Sequence, residues 1–463
     1  MARKSFTTTA YKDVKDFVYG NSIHPVTTKN GLVVGGGKIY PEVNFTLPTI
    51  LITDESMPEV LRIYQEIITG ICQRCVDLHV EGFMAECEWL PAMTFEPERG
   101  IEVMALLQKT VDEFASKYGL KGAVRSTPVD IREGKGVDHM WKGQAWDKVV
   151  RAFEGSCEAG NDFLSIESVG GKDVHDEGLM YCDLEKTIFG MGVLSCLDMS
   201  VLWAKIADIA SKYKNVFPAG DTACGFANTS MVLGEQNYIP KVLAAIDRAM
   251  AAVRSMVAFE EGAVGPDKDC GYEGPIIKAI TGSPISMEGH VAAVAHFSSV
   301  GNVPLCVADV WSNESVQHIK LLSGFAEVAS TEQLIYDCRL LNEAASRGKD
   351  TALLLRDMYA ATDAPYDPTA WILQPKVALE IGKAIAAEKD NHYLRSKAAC
   401  KAALDAIRAG ADSKELKLDD RELMYIDSFS ETLAAMTNDD KAFIEQQIAL
   451  CKGEKFDPKM FDM

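Results

Sequence analysis

The chain has 463 residues, with 67 Asp or Glu against 47 Lys or Arg, for a formal charge of −20. This acid excess argues against a general binder of nucleic acid or anionic membrane, because both need clustered positive charge. Hydrophobic residues at 47% and charged residues at 25% are the composition of a folded globular protein with a large core. No apolar run approaches the ~20 residues of a membrane span. No apolar segment follows the basic residues of MARKSFTTTAYKDVKDF, so no export signal is expected. A cytoplasmic protein is expected, and its twelve cysteines should be free thiols, mostly buried.

Residues 1–45 are mixed in character and read as an N-terminal segment, with a glycine turn at 35–37. The apolar spacing over 58–78 is helical. Short apolar segments then alternate with amphipathic helices. Strands are expected at 82–89, 122–127, 162–168, 215–221, 255–261, 285–288 and 304–310. Helices are expected at 101–118, 146–159, 200–213, 239–254 and 274–280. This alternation builds parallel βαβ units. It predicts an α/β protein with a (β/α)8 barrel over residues 46–315, the eighth strand coming from 191–197 or 50–53. An open doubly wound sheet is the alternative, disfavoured because no phosphate-binding glycine fingerprint follows an early strand. Beyond 315 only helices are expected, at 330–346, 351–359, 370–388, 392–409, 419–436 and 441–451. Residues 316–463 thus read as a helical extension on the barrel.

Three segments share one design: DFLSIESVGGKD with Glu167, FPAGDTACGFANT with Cys224, and VAFEEGAVGPDKDCGYE with Cys270. Each is an apolar run ending in a glycine-containing polar loop, so each of the three residues belongs at or just past a strand end. In a parallel barrel that face carries the active site. Separations of 57 and 46 positions are too long for one zinc-finger loop and suit ligands from different βα units. Two thiolates and a carboxylate suit Zn²⁺ and leave a fourth position open, as in catalytic sites. Gly225 and Gly271 would let the backbone turn beside the metal, and Lys268 would favour the thiolate of Cys270. Residue chemistry alone leaves open the plainer reading of three unrelated loop residues, two of them buried thiols.

The stretches DFLSIESVGGKDV, SCLDMSVLW, AGDTACGFANTSM, VAFEEGAVGPDKDCGYE, IKAITGSPISMEG and WSNES resemble the zinc subunit of the methanol:corrinoid methyltransferases. The resemblance runs over most of the chain and is densest from 162 to 315. It implies a (β/α)8 barrel with added helices, one zinc per chain held by Glu167, Cys224 and Cys270, and methanol as methyl donor. It also implies a Co(I) corrinoid acceptor carried on a separate protein. No corrinoid-binding module is expected in this chain, in keeping with a partner that holds the cobalt. A homo-oligomer or a hetero-oligomer with that partner is expected. The region around FMAECEWL and TFEPERG diverges, which leaves room for another donor, such as a methoxylated compound. A zinc hydrolase or lyase without corrinoid, and a non-catalytic subunit, are the readings from other classes.

An anionic ligand set weakens a metal's Lewis acidity, so a second group is expected to protonate the departing oxygen. Asp221, Glu260, Glu261 and Asp269 are the candidates, with helix capping or solvated charge as the plain alternative. The Cys72–Cys75 pair lies in a helical pattern and reads as core. His290 and His296 are six apart and share no helix face; a hydrogen-bonded structural role is expected, with His296 able to reach the site. Trp311, Ser312 and Asn313 follow the last strand and belong on the active face near the corrinoid, or cap a helix.

Overall fold

The computed structural model describes residues 3–45, 50–134, 136–268, 270, 272–314, 321, 324–453 and 456–463. Strands β1 (Asn21–Thr27) and β2 (Val33–Gly36) form an antiparallel hairpin. Seven further strands follow: β3 (Tyr40–Phe45), β4 (Gly82–Glu88), β5 (Lys121–Thr127), β6 (Phe163–Ile166), β7 (Phe217–Asp221), β8 (Ser286–Glu288) and β9 (Val310–Glu314). They make one parallel sheet in the order β7-β6-β5-β4-β3-β9-β8. Segment 264–267 links its two edges. The Val264 and Gly265 amides donate to the Pro218 and Ala219 carbonyls of β7 at 2.9 Å each. On the other side, Ser286 N of β8 donates to Asp267 Oδ1 at 2.9 Å. The sheet therefore curls into an α/β barrel whose sixth member, in chain order, is only these few residues.

Several expected strands move. Residues 255–261 lie mostly in helix Lys241–Glu260, which is buried along almost its whole length. Packed on all sides, it needs no polar face, so its last turns, from Ser255, lack helical periodicity and read as a strand. Residues 303–306 form a 3₁₀ turn, and β9 begins only at Val310. Residues 191–197 are helical and 50–53 form no strand. The missing strand is β3, inside the segment read as 1–45. Its residues YPEVNF are buried on both faces, so no alternation marks them. β3 lies centrally between β4 and β9, so a boundary at 45 falls directly behind a barrel strand.

A boundary at 315 likewise precedes helix Ala326–Ser346, which packs as the barrel's last helix. Asn342 exchanges hydrogen bonds with Ile39 N and O at 3.0 and 2.9 Å, and Glu332 pairs with Arg74 at 2.7 Å. Helices Lys349–Asp363, Pro368–Leu373, Pro375–Ala387, His392–Asp412, Asp420–Ala435 and Asp440–Cys451 complete the chain. The helix expected at 370–388 is broken at Gln374–Pro375, where proline cannot continue the ladder. Among the described residues, no named strand follows β9. One helical stretch, Leu184–Ala210, is long and apolar enough to cross a membrane, but 72% of its apolar window is buried in the protein. It is a core helix.

The barrel interior changes character along its axis. At the strand starts, Tyr40, Met84, Ala123, Phe163, Ala219 and Val310 cluster with Val26, Leu32 and Val34 of the hairpin, which plugs that end. One step further, Arg125 of β5 donates to Glu42 of β3 at 2.8 Å, to Ser165 at 2.9 Å, and to the Pro266 and Asp267 carbonyls at 3.0 and 2.7 Å. Ser286 donates to the same Glu42. This fully buried pair has most of its hydrogen-bonding capacity used, the condition under which burial of ions is tolerated. The opposite end is acidic and holds the candidate site.

Candidate metal centre

Glu167 follows β6, Cys224 follows β7, and Cys270 follows segment 264–267. Three adjacent members of the barrel thus deliver three candidate ligands to one face. Their ligand atoms all lie within 4.8 Å of one another. The Cys270 thiol donates to Glu167 Oε1 at 3.1 Å. Burial pushes the Cys270 thiol well above its usual range, reinforced by Cys224 and Glu167. At Cys224 the hydrogen bond with Cys270 pulls downward. Burial and the Glu167 and Glu288 carboxylates outweigh it, and the thiol is pushed up to about 12. Two buried thiols facing a carboxylate are poor anions by themselves, and a bound cation would invert that preference. Two sulfurs and one oxygen also match the ligand chemistry of zinc.

The loop carrying Glu167 is fixed from behind. Asp221 Oδ1 accepts from Ser168 N at 3.2 Å and from Arg254 Nη2 at 3.1 Å, while Oδ2 accepts from Trp203 Nε1 at 2.9 Å. Arg254 also donates to Ser168 O at 2.7 Å and to Ser195 Oγ at 2.8 Å. Asp221, expected as a proton donor, is therefore committed to holding Ser168; burial pushes its carboxyl up despite Arg254. Gly171 closes the loop at φ +87°, where an added Cβ would lie 2.5 Å from the Gly190 carbonyl.

Glu260 and Glu261 are far from this chemistry. Glu260 ends helix Lys241–Glu260, and four residues later Val264 pairs with Pro218 at the start of β7. That puts both carboxylates at the plugged end. Glu260 is buried there between Arg395 at 2.7 Å and Arg3 at 3.0 Å, and Glu261 accepts from Ser200 at 2.6 Å. Asp269 and Gly271 lie outside the described residues. Gly225 sits in a helical turn without a positive φ, so its expected sharp bend is absent.

Lys268 pulls the Cys270 thiol downward, as expected, but its direct partners are carboxylates. It is fully buried and pairs with Glu88 at 2.6 Å and Glu86 at 3.0 Å, with Glu167 Oε1 at 3.5 Å. Asn44 of β3 donates to Glu88 at 2.9 Å, and Thr127 of β5 to Glu86 at 2.6 Å. These carboxylates were missed in the sequence. Their signal was the alternation in GFMAECE, where Met84, Glu86 and Glu88 share one face of β4. Glu273 links two ligand loops: its Oε1 accepts from Ala223 N, beside Cys224, at 2.8 Å and from Ser255 at 2.7 Å.

The remaining candidates fall as follows. Cys72 and Cys75 are buried in helix Met57–Asp77, and none of the twelve cysteines forms a disulfide. His290 bonds Asn302 Oδ1 at 2.9 Å and meets Trp311 edge-on at 5.5 Å. His296 is half-buried, and burial and Arg248 lower its pKa. Asn313 caps helix His290–Ala295 by accepting from Val291 N at 3.2 Å.

The sequence pattern of the methanol-cobalamin methyltransferase B subunit matches residues 3–462. The methanol–corrinoid protein co-methyltransferase of Methanosarcina barkeri (strain Fusaro / DSM 804) is 35% identical over 458 residues, covering 98% of each chain. A chain in the crystal structure of the methanol:cobalamin methyltransferase complex MtaBC from Methanosarcina barkeri superimposes with a TM-score of 0.95 at 34% identity. That match covers 99% of this chain and 100% of the other.

Proposed function

The chain belongs to the methanol-cobalamin methyltransferase B subunit family, and from that premise we propose that it transfers the methyl group of methanol to Co(I) of a corrinoid on a partner protein, using one zinc held by Glu167, Cys224 and Cys270. The observation that carries the zinc reading is the meeting of these three ligand atoms within 4.8 Å at adjacent strand ends. When bound, zinc supplies Lewis-acid polarisation of the methanol C–O bond, whose leaving group is otherwise poor.

The chain's own part is positioning and electrostatics. Asp221 and Arg254 hold the loop of Glu167, and Glu273 holds the backbone beside Cys224. Lys268 pairs with Glu86 and Glu88, so the acidic lining is only partly neutralised. Negative surroundings disfavour a further anion, which keeps the methanol hydroxyl proton on its oxygen as the C–O bond breaks. Free thiols throughout suit a reducing cytoplasm, where a strongly reducing Co(I) partner can operate.

Anaerobic methylation of a reduced corrinoid protein, followed by its visible spectrum alongside metal analysis, tests this reading. One zinc per chain and methanol-dependent methyl-Co(III) formation are expected. Cys224→Ala and Cys270→Ala should each lose zinc and methyl transfer while remaining folded by circular dichroism. Full activity with one zinc in either variant would remove that cysteine from the centre. Methylation by a methoxylated compound but not by methanol would replace the donor.

A further inference from the structure

Cys224 opens a five-residue π-helical turn, Cys224–Asn228, which returns Asn228 beside it. Such wide turns are frequent at functional sites. Asn228 Nδ2 donates to Cys224 Sγ at 3.1 Å, and Asn228 Oδ1 accepts from Arg248 Nη2 at 2.8 Å. Arg248 is fully buried on helix Lys241–Glu260. Its guanidinium lies 5.0 Å from the Tyr272 ring, and its Nη1 is 3.6 Å from Glu273 Oε2. The amide orientation follows from this arrangement. A guanidinium only donates, so the Asn228 oxygen must face Arg248 and the NH2 group must face the sulfur.

We infer that Asn228, oriented by Arg248, is a positioning residue that draws charge off the Cys224 sulfur and so raises the electrophilicity of the metal centre. The inference rests on the zinc reading above. Two thiolates and a carboxylate around a dication leave a net charge of −1, which weakens its Lewis acidity relative to neutral ligands. An N–H···S bond reduces what one sulfur donates, as hydrogen bonds to sulfur tune other thiolate-ligated metals. Arg248 also reaches Tyr272 and Glu273, beyond Cys270, so one buried cation braces both cysteine loops.

Cobalt substitution separates this role from a merely structural one. In the Co(II)-loaded protein, the thiolate-to-metal charge-transfer band reports sulfur donation directly. Asn228→Ala should shift that band to longer wavelength and lower kcat for methyl transfer ~10- to 100-fold, with KM for methanol changed less. Asn228→Asp keeps the volume and the partner for Arg248 while removing the donor, so it guards against loss of fold and should shift the band the same way. Adding Arg248→Met to Asn228→Ala should shift the band no further, because both act through one hydrogen bond. An unmoved band in folded variants carrying one cobalt per chain would overturn the inference while leaving the metal centre intact. A parent protein with no thiolate band would overturn both.

Discussion

Glu167 shows how much of a candidate ligand's position is decided by the residues behind it. Its neighbour Ser168 is gripped by Asp221 and Arg254, both fully buried. Breaking such a pair leaves an uncompensated buried charge, at a cost of about 3–5 kcal/mol. Asp221→Asn should therefore lower stability in urea titration and weaken zinc retention ~10- to 100-fold. A proton donor would behave otherwise, losing turnover with its metal content intact. The three candidate ligands were legible because Cys and Glu after apolar runs are chemically conspicuous. Asp221 looked equally conspicuous, but its partners Ser168, Trp203 and Arg254 lie 53, 18 and 33 residues away. Glu260 failed for the same reason: its local sequence does not reveal which end of the barrel it occupies.

At the element scale, the loops at the strand ends carry the strain. Gly171 precedes helix Lys172–Met180 in a left-handed conformation that costs other residues roughly 1–2 kcal/mol, before any clash with the Gly190 carbonyl. Gly171→Ala should reduce unfolding free energy by at least that amount and displace Glu167, read as zinc lost to a weaker chelator than the parent requires. Helices were legible where one face meets solvent, as in Met57–Asp77 and Pro97–Tyr118. The last turns of helix Lys241–Glu260, from Ser255, read as a strand because the barrel and the C-terminal helices cover the helix on opposite sides. β3 was missed by the same logic: buried on both faces, it shows no period of two.

On the scale of the whole molecule, the N-terminal arm and helix His392–Asp412 meet at the plugged end of the barrel. Arg3 and Arg395 both pair with Glu260, and Arg3 also approaches His392 Nε2 at 3.2 Å. Burial, aided by the charges of Arg395 and Arg3, pushes the His392 imidazole down to about 4. An unfolded histidine titrates near ~6.5, so between these values the unfolded chain binds a proton that the folded chain refuses. Stability should fall as pH drops from about 6.5 to about 4. His392→Asn should remove part of that fall, measured as urea midpoints at pH 7 and pH 5. An identical pH dependence in the variant would assign the effect to other groups.

By itself the sequence determined the class of fold and singled out Glu167, Cys224 and Cys270 as candidate ligands at strand ends. Apolar runs that end in glycine loops and alternate with amphipathic helices favour parallel units, and Cys and Glu at such breaks are residue types a metal uses. Only the tertiary structure decided the barrel's closure through segment 264–267, the central place of β3, and the division of the carboxylates. Glu86 and Glu88 line the site, Asp221 braces it, and Glu260 ties the far end. Each of those outcomes depends on contacts between residues distant in sequence, and burial on every side removes the solvent-facing pattern from which local structure is read.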